Sequence, residues 1–110
     1  MRICIDLDDT LCRGKPYNTA TPLPGAKEFL QRLKDDGHEI VIYTARFMGR
    51  TDNNQKAACE MGTELTINQL REWEFPYDEI YLGKPSADLY IDDKSISGVD
   101  YNQILKFLEC

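Results

Sequence analysis

Two short apolar runs with an amphipathic helix between them constrain this chain more than any other feature. Ile3-Cys4-Ile5 and Ile40-Val41-Ile42-Tyr43 are unbroken apolar stretches rather than alternating ones, the pattern of strands buried on both faces of a parallel sheet. Between them, Gly25–Asp36 carries Ala26, Phe29, Leu30 and Leu33 at helical spacing, with Gly37 where a C-terminal cap belongs. Parallel neighbours need such a crossover. The first forty-six residues therefore read as one βαβ unit, with a right-handed crossover.

The rest of the chain extends this pattern. Cys12 to Pro24 reads as a polar, proline-containing loop, and residues 47–54, with Gly49, Arg50, Asp52 and two asparagines, as a mobile loop. From about Asn54 to Glu74 the spacing is helical, but Gly62 and the β-branched Thr63, Thr66 and Ile67 predict a break into two pieces. Glu79–Leu82 reads as a third strand, Leu89-Tyr90-Ile91 as a fourth running into Asp92-Asp93, and Tyr101–Leu108 as a closing helix. The expected architecture is α/β: a single domain over residues 1–110, a three-layer α/β/α sandwich around a short, mainly parallel sheet.

Composition narrows the function. Nineteen acidic against thirteen basic side chains give a net charge of -6, with the basic residues scattered, which disfavours long nucleic-acid partners. Neither a signal peptide nor a membrane span is visible. The cysteines Cys4, Cys12, Cys59 and Cys110 have no metal-site or disulfide spacing. They read as small buried hydrophobes, apart from Cys110, expected to be exposed at the terminus. A cytoplasmic location fits best.

In open parallel sheets, ligands bind beyond the carboxyl ends of the strands, and the polar residues of this chain fall there. Asp6, Asp8 and Asp9 follow strand one, Thr44-Ala45-Arg46 follow strand two, Gly83-Lys84 strand three, and Asp92-Asp93 strand four. Carboxylates gathered at a strand end repel one another, so a cation or an anionic substrate's metal belongs among them.

The run Asp6-x-Asp8-x-Thr10 after a short apolar strand, followed in order by Thr44, Lys84 and the Asp92-Asp93 pair, resembles the four motifs of the haloacid dehalogenase superfamily over nearly the whole chain. That resemblance implies a Rossmann-like core, here without a cap domain because the Leu11–Pro24 loop is short. It also implies Mg²⁺-dependent hydrolysis of a phosphomonoester through an aspartyl-phosphate. Asp6 would be the nucleophile, and Asp8 the acid that protonates the leaving oxygen and then the base that activates water. Thr44, with the Ala45 N–H, would hold the phosphoryl group, and Lys84 would neutralise it and steady Asp6. The metal would take the Asp6 carboxylate, the Asp8 backbone carbonyl and Asp92, with Asp93 nearby. Thr10, Ala45, Arg46 and Arg50 would contact substrate.

Departures from the pattern are also visible. Only five residues separate Gly83 from Leu89, whereas a parallel crossover takes a dozen or more. Lys84 precedes Pro85 and also reads as an exposed turn lysine. His38 reads as a surface residue, and Trp73, Phe75, Tyr77 and Tyr81 as core or subunit-interface aromatics. A small phosphorylated substrate such as a sugar phosphate is the expected partner. A nucleotide or polynucleotide-end phosphatase, or a non-catalytic metal-dependent binding module, is the alternative. A homo-oligomer is favoured over a monomer, with residues 73–81 as its interface.

Overall fold

The computed structural model describes residues 1–97 and 100–109; Cys110, read as an exposed terminal cysteine, lies outside them. Strand β1 (Arg2–Ile5) leads through the acidic turn to β2 (Cys12–Arg13) and β3 (Thr21–Pro22), then to α1 (Ala26–Asp35), β4 (Glu39–Thr44), α2 (Gln55–Glu72), β5 (Glu79–Leu82) and α3 (Tyr101–Glu109). The expected polar loop before Pro24 is thus partly organised as an antiparallel two-stranded ribbon, β2 with β3.

The main sheet has the order β1-β4-β5, every pair parallel. Registers place Ile3 beside Ile40, Ile5 beside Ile42 and Ile42 beside Ile80. These side chains share one face and meet Phe29, Leu30 and Leu33 of α1, Leu70 of α2 and Ile104 of α3 in a single core. Helix α1 ends as its sequence predicts: Gly37 is left-handed at φ 85°. Gly37 N–H donates to Lys34 O and His38 N–H to Leu33 O, a Schellman closure.

The α/β class and parallel sheet hold, and three sequence expectations need correction. First, Ile3-Cys4-Ile5 is not buried on both faces, because β1 is an edge strand: Ile5 is buried, Cys4 exposed. Among the described residues the helices pack on the isoleucine face only. On the opposite face Arg2, Cys4, Glu79 and Tyr81 are exposed.

Second, α2 is continuous for 18 residues. Gly62 lies inside it because the Phe47 ring leaves no space for a side chain: a Cβ there would lie 2.2 Å from a ring carbon. Asn54 caps the helix by accepting from Ala57 N–H at 3.0 Å. Third, Leu89-Tyr90-Ile91 forms no strand, and Leu89 and Ile91 are 74% and 91% exposed. The stretch from Leu82 is too short to carry a parallel crossover back across the sheet.

Candidate active site

Sharp turns beyond β1 and β4 build the site. Leu7 is fully buried, and its carbonyl accepts from the N–H groups of Thr10, Leu11 and Cys12. This knot turns the chain back on itself with Asp9 at φ 63°, leaving Asp6, Asp8 and Asp9 around a cavity of about 380 Å³. The cavity is also lined by Ala45, Arg46 and Phe47 just beyond β4, by Lys15 and Tyr17, and by Arg50, Ser86 and Tyr90. A larger cavity of about 510 Å³ between α1 and α3 contains none of these groups.

Asp6 is half-exposed to this space. Burial pushes its carboxyl above the ordinary 3.8, and Asp8 and Asp9 add to the rise; Lys84 and the Leu7 N–H oppose it. Lys84 Nζ lies 3.8 Å from Asp6 Oδ1 and 4.2 Å from the centre of the Tyr90 ring. Its side chain is only 19% exposed, so it is not a free turn lysine. The Gly83 and Lys84 N–H groups both donate to Thr44 O, which ties the lysine loop to the end of β4.

Asp8 is held by Arg46. Arg46 Nε donates to Asp8 Oδ2 at 3.0 Å, and its Nη2 to Asp8 Oδ1 at 3.1 Å. Its Nη1 donates to Gln69 Oε1 and to Thr66 Oγ1 on α2, and Gln69 Nε2 donates to Tyr17 O at 2.7 Å. The Tyr17 ring stacks on the guanidinium at 5.0 Å. Arg46 is 1% exposed and its donors are met by protein acceptors. The structure therefore assigns it to the support of Asp8 rather than to substrate contact, a correction to the sequence reading.

Other expected residues also sit differently. Thr44 is fully buried; its hydroxyl accepts from Arg46 N–H at 3.1 Å and faces Asp8 rather than the cavity. Thr10 lies in the turn, its carbonyl accepting from Tyr101 Oη, and it is not part of the wall. Residues 47–54 are not loose: Phe47 and Met48 are buried. The Thr51 hydroxyl donates to Phe47 O at 2.7 Å and Asn53 N–H to Met48 O at 2.7 Å. Asp92 and Asp93 are exposed and off the wall. Without strand four, nothing carries them to the site.

Lys15, Tyr17, Thr66, Gln69, Ser86 and Tyr90 escaped the sequence reading. Thr66 and Gln69 did carry a signal: they are polar residues on the same helical stripe as buried Ala58 and Gly62, where a buried partner is required.

Two oxygens of the acidic turn fit a hard divalent cation. The Asp6 carboxylate has burial against its charge and no hydrogen-bonded cation, and among the described residues no hydrogen bond is directed at the Asp8 carbonyl. These two oxygens suit Mg²⁺. Among the described residues no three acidic, His or Cys side chains are placed to hold a metal ion together, so the further ligands expected from Asp92 and Asp93 are not in place.

The model of the haloacid dehalogenase-like hydrolase family matches residues 3–68. The chain belongs to this family. Two solved structures are similar to this chain in fold. A Vibrio cholerae structural-genomics target is 29% identical with a TM-score of 0.82, over 98% of this chain and 96% of that one. A D,D-heptose 1,7-bisphosphate phosphatase from B. bronchiseptica, complexed with magnesium and phosphate, aligns at TM-score 0.51 and 16% identity. That alignment covers 79% of this chain and 51% of the other, a likeness of fold. No curated protein matches. No helix among the described residues is long and apolar enough to cross a membrane.

Proposed function

We propose that this hydrolase is a Mg²⁺-dependent phosphomonoesterase working through an aspartyl-phosphate on Asp6. One observation carries the reading: two carboxylates, two residues apart, open on one cavity with opposite supports. Asp6 is a carboxylate against whose charge burial works, with Lys84 beside it, and Asp8 is fixed in place by a buried guanidinium.

In the first half-reaction an Asp6 oxygen bonds to phosphorus as the bond to the leaving oxygen breaks, and Asp8, which enters this step protonated and held in place by Arg46, gives that oxygen its proton. In the second, Asp8 takes a proton from the water that attacks phosphorus, and Asp6 leaves as phosphate is released. Lys84 neutralises a phosphoryl oxygen, and the Ala45 N–H is a further donor on the wall. Mg²⁺, held by the Asp6 carboxylate and the Asp8 carbonyl, would supply the remaining charge neutralisation. Asp92 and Asp93 join it only if their segment takes another position. A cavity of about 380 Å³ suits a small metabolite such as a sugar phosphate, near the lower end of ligand pockets.

Phosphate release from sugar phosphates, nucleotides and an aryl phosphate, with Mg²⁺ or EDTA, tests the proposal. The expected result is metal-dependent release by wild type, lost in Asp6→Asn. Release that survives the substitution overturns the role of Asp6, and no release from any substrate by folded, Mg²⁺-supplemented protein favours a binding module.

A further inference from the structure

The carboxylates of the cavity are already matched by cations, and two cations are left over. Asp6 has Lys84 at 3.8 Å, Asp8 has Arg46 at 3.0 Å and Asp9 has Arg13 at 3.2 Å. Lys15 and Arg50 line the same cavity, yet among the described residues neither makes an ion pair or a hydrogen bond. Arg50 rests on the Phe47 ring, its Cζ 4.9 Å from the centroid, which steadies the guanidinium while leaving its donors open. In a chain of net charge -6, a rim with two unmatched cations runs against the overall charge and attracts anions.

These cations are distinct from those that match the carboxylates: among the described residues neither Lys15 nor Arg50 forms an ion pair with Asp6, Asp8 or Asp9, whose partners are Lys84, Arg46 and Arg13. They stand on different segments, Lys15 between β2 and β3 and Arg50 beyond β4. Loop contacts fix the second of these: the Ser86 N–H donates to Asn53 Oδ1 at 2.8 Å, joining the 47–54 turn to the segment that carries Tyr90. An exposed lysine alone is a solvated surface charge. Two facing one cavity, one of them a guanidinium fork suited to carboxylate or phosphate, make a second anion subsite.

We infer that the substrate is a small phosphomonoester bearing a second anionic group, a phosphate or carboxylate, which Lys15 and Arg50 bind away from Asp6. This rests on the phosphatase reading and names its substrate class. Matched probes test it: glucose 1,6-bisphosphate against glucose 1-phosphate, and 3-phosphoglycerate against glycerol 3-phosphate. Phosphate release is measured for wild type and for Lys15→Ala/Arg50→Ala, and calorimetric binding of the same compounds for Asp6→Asn with and without those two changes.

The expected result is a wild-type kcat/KM at least about tenfold higher for the doubly anionic member of each pair, the scale of one charge-assisted contact, with that ratio collapsing toward one in the double variant. A wild-type ratio near one, or a ratio unchanged by the substitutions, overturns the subsite while leaving the phosphatase reading intact. Absent turnover together with an affinity ratio that depends on Lys15 and Arg50 supports the subsite and overturns the phosphatase reading. Absent turnover with no affinity ratio overturns both.

Discussion

Asp6 carries a charge that the fold resists. Its carboxyl is held above the ordinary 3.8, first by burial, so the folded state favours the protonated form. Below 3.8 both folded and unfolded chains bind the proton and there is no penalty; above the raised folded value both release it and the penalty is complete. Asp6→Asn should therefore raise the melting temperature at pH 7 in EDTA, with the gain shrinking as pH falls through the raised value toward 3.8, while abolishing turnover. Melts at pH 7 and pH 4 check this, and a variant less stable than wild type at pH 7 would refute it. Arg46 behaves in the opposite way. It is fully buried and bonded to Asp8, Thr66 and Gln69, so Arg46→Met leaves a carboxylate without its partner and should destabilise by about 3–5 kcal/mol in urea titration. Arg46→Lys restores a charge but not the fork, and should recover stability in part while turnover stays low.

At the scale of elements, Gly62 decides how α2 meets the turn after β4. Alanine is worth about 1 kcal/mol over glycine in a helix interior, but its Cβ would stand 2.2 Å from the Phe47 ring. Phe47 is packed in its own small core with Met48 and Ala58 and cannot withdraw freely. Overpacking of this kind outweighs propensity, and Gly62→Ala should destabilise by about 1–3 kcal/mol; a stabilised variant in the same titration would refute the packing argument. Asp78 joins three elements: it accepts from Lys34 of α1 and from Ile40 N–H at 2.7 Å, and its own N–H donates to Ile40 O. The Lys34 hydrogen bond, then that from Ile40, holds its carboxyl below the ordinary 3.8. Its contribution to stability is present above 3.8 and lost as pH falls through the lowered folded value. Asp78→Asn should lower the urea midpoint at pH 7, with the deficit closing as pH falls below 3.8 through the lowered folded value.

For the whole molecule, the sheet is anchored at its centre and loose beyond its last strand. β4 pairs on both sides and Ile40 and Ile42 are fully buried. Between residues 85 and 97 no backbone N–H donates to another backbone group among the described residues. Hydrogen exchange should be slowest at residues 40–42 and fastest at 87–93; protection across 89–91 would show that this segment pairs as a strand in solution. Much of this architecture was legible beforehand. Apolar runs, helical spacing and the Gly37 cap marked β1, α1, β4, β5 and α3, because those patterns are local. The acidic turn and the family followed from residue order alone, and the same order put Lys84 near Asp6. Tertiary structure decided the rest. Steric space at Gly62 made one helix of two, crossover length denied Asp92 and Asp93 their strand, and burial turned Arg46 from a substrate ligand into the support of Asp8. Each outcome depends on which distant groups come into contact, and that information is not contained in a window of sequence.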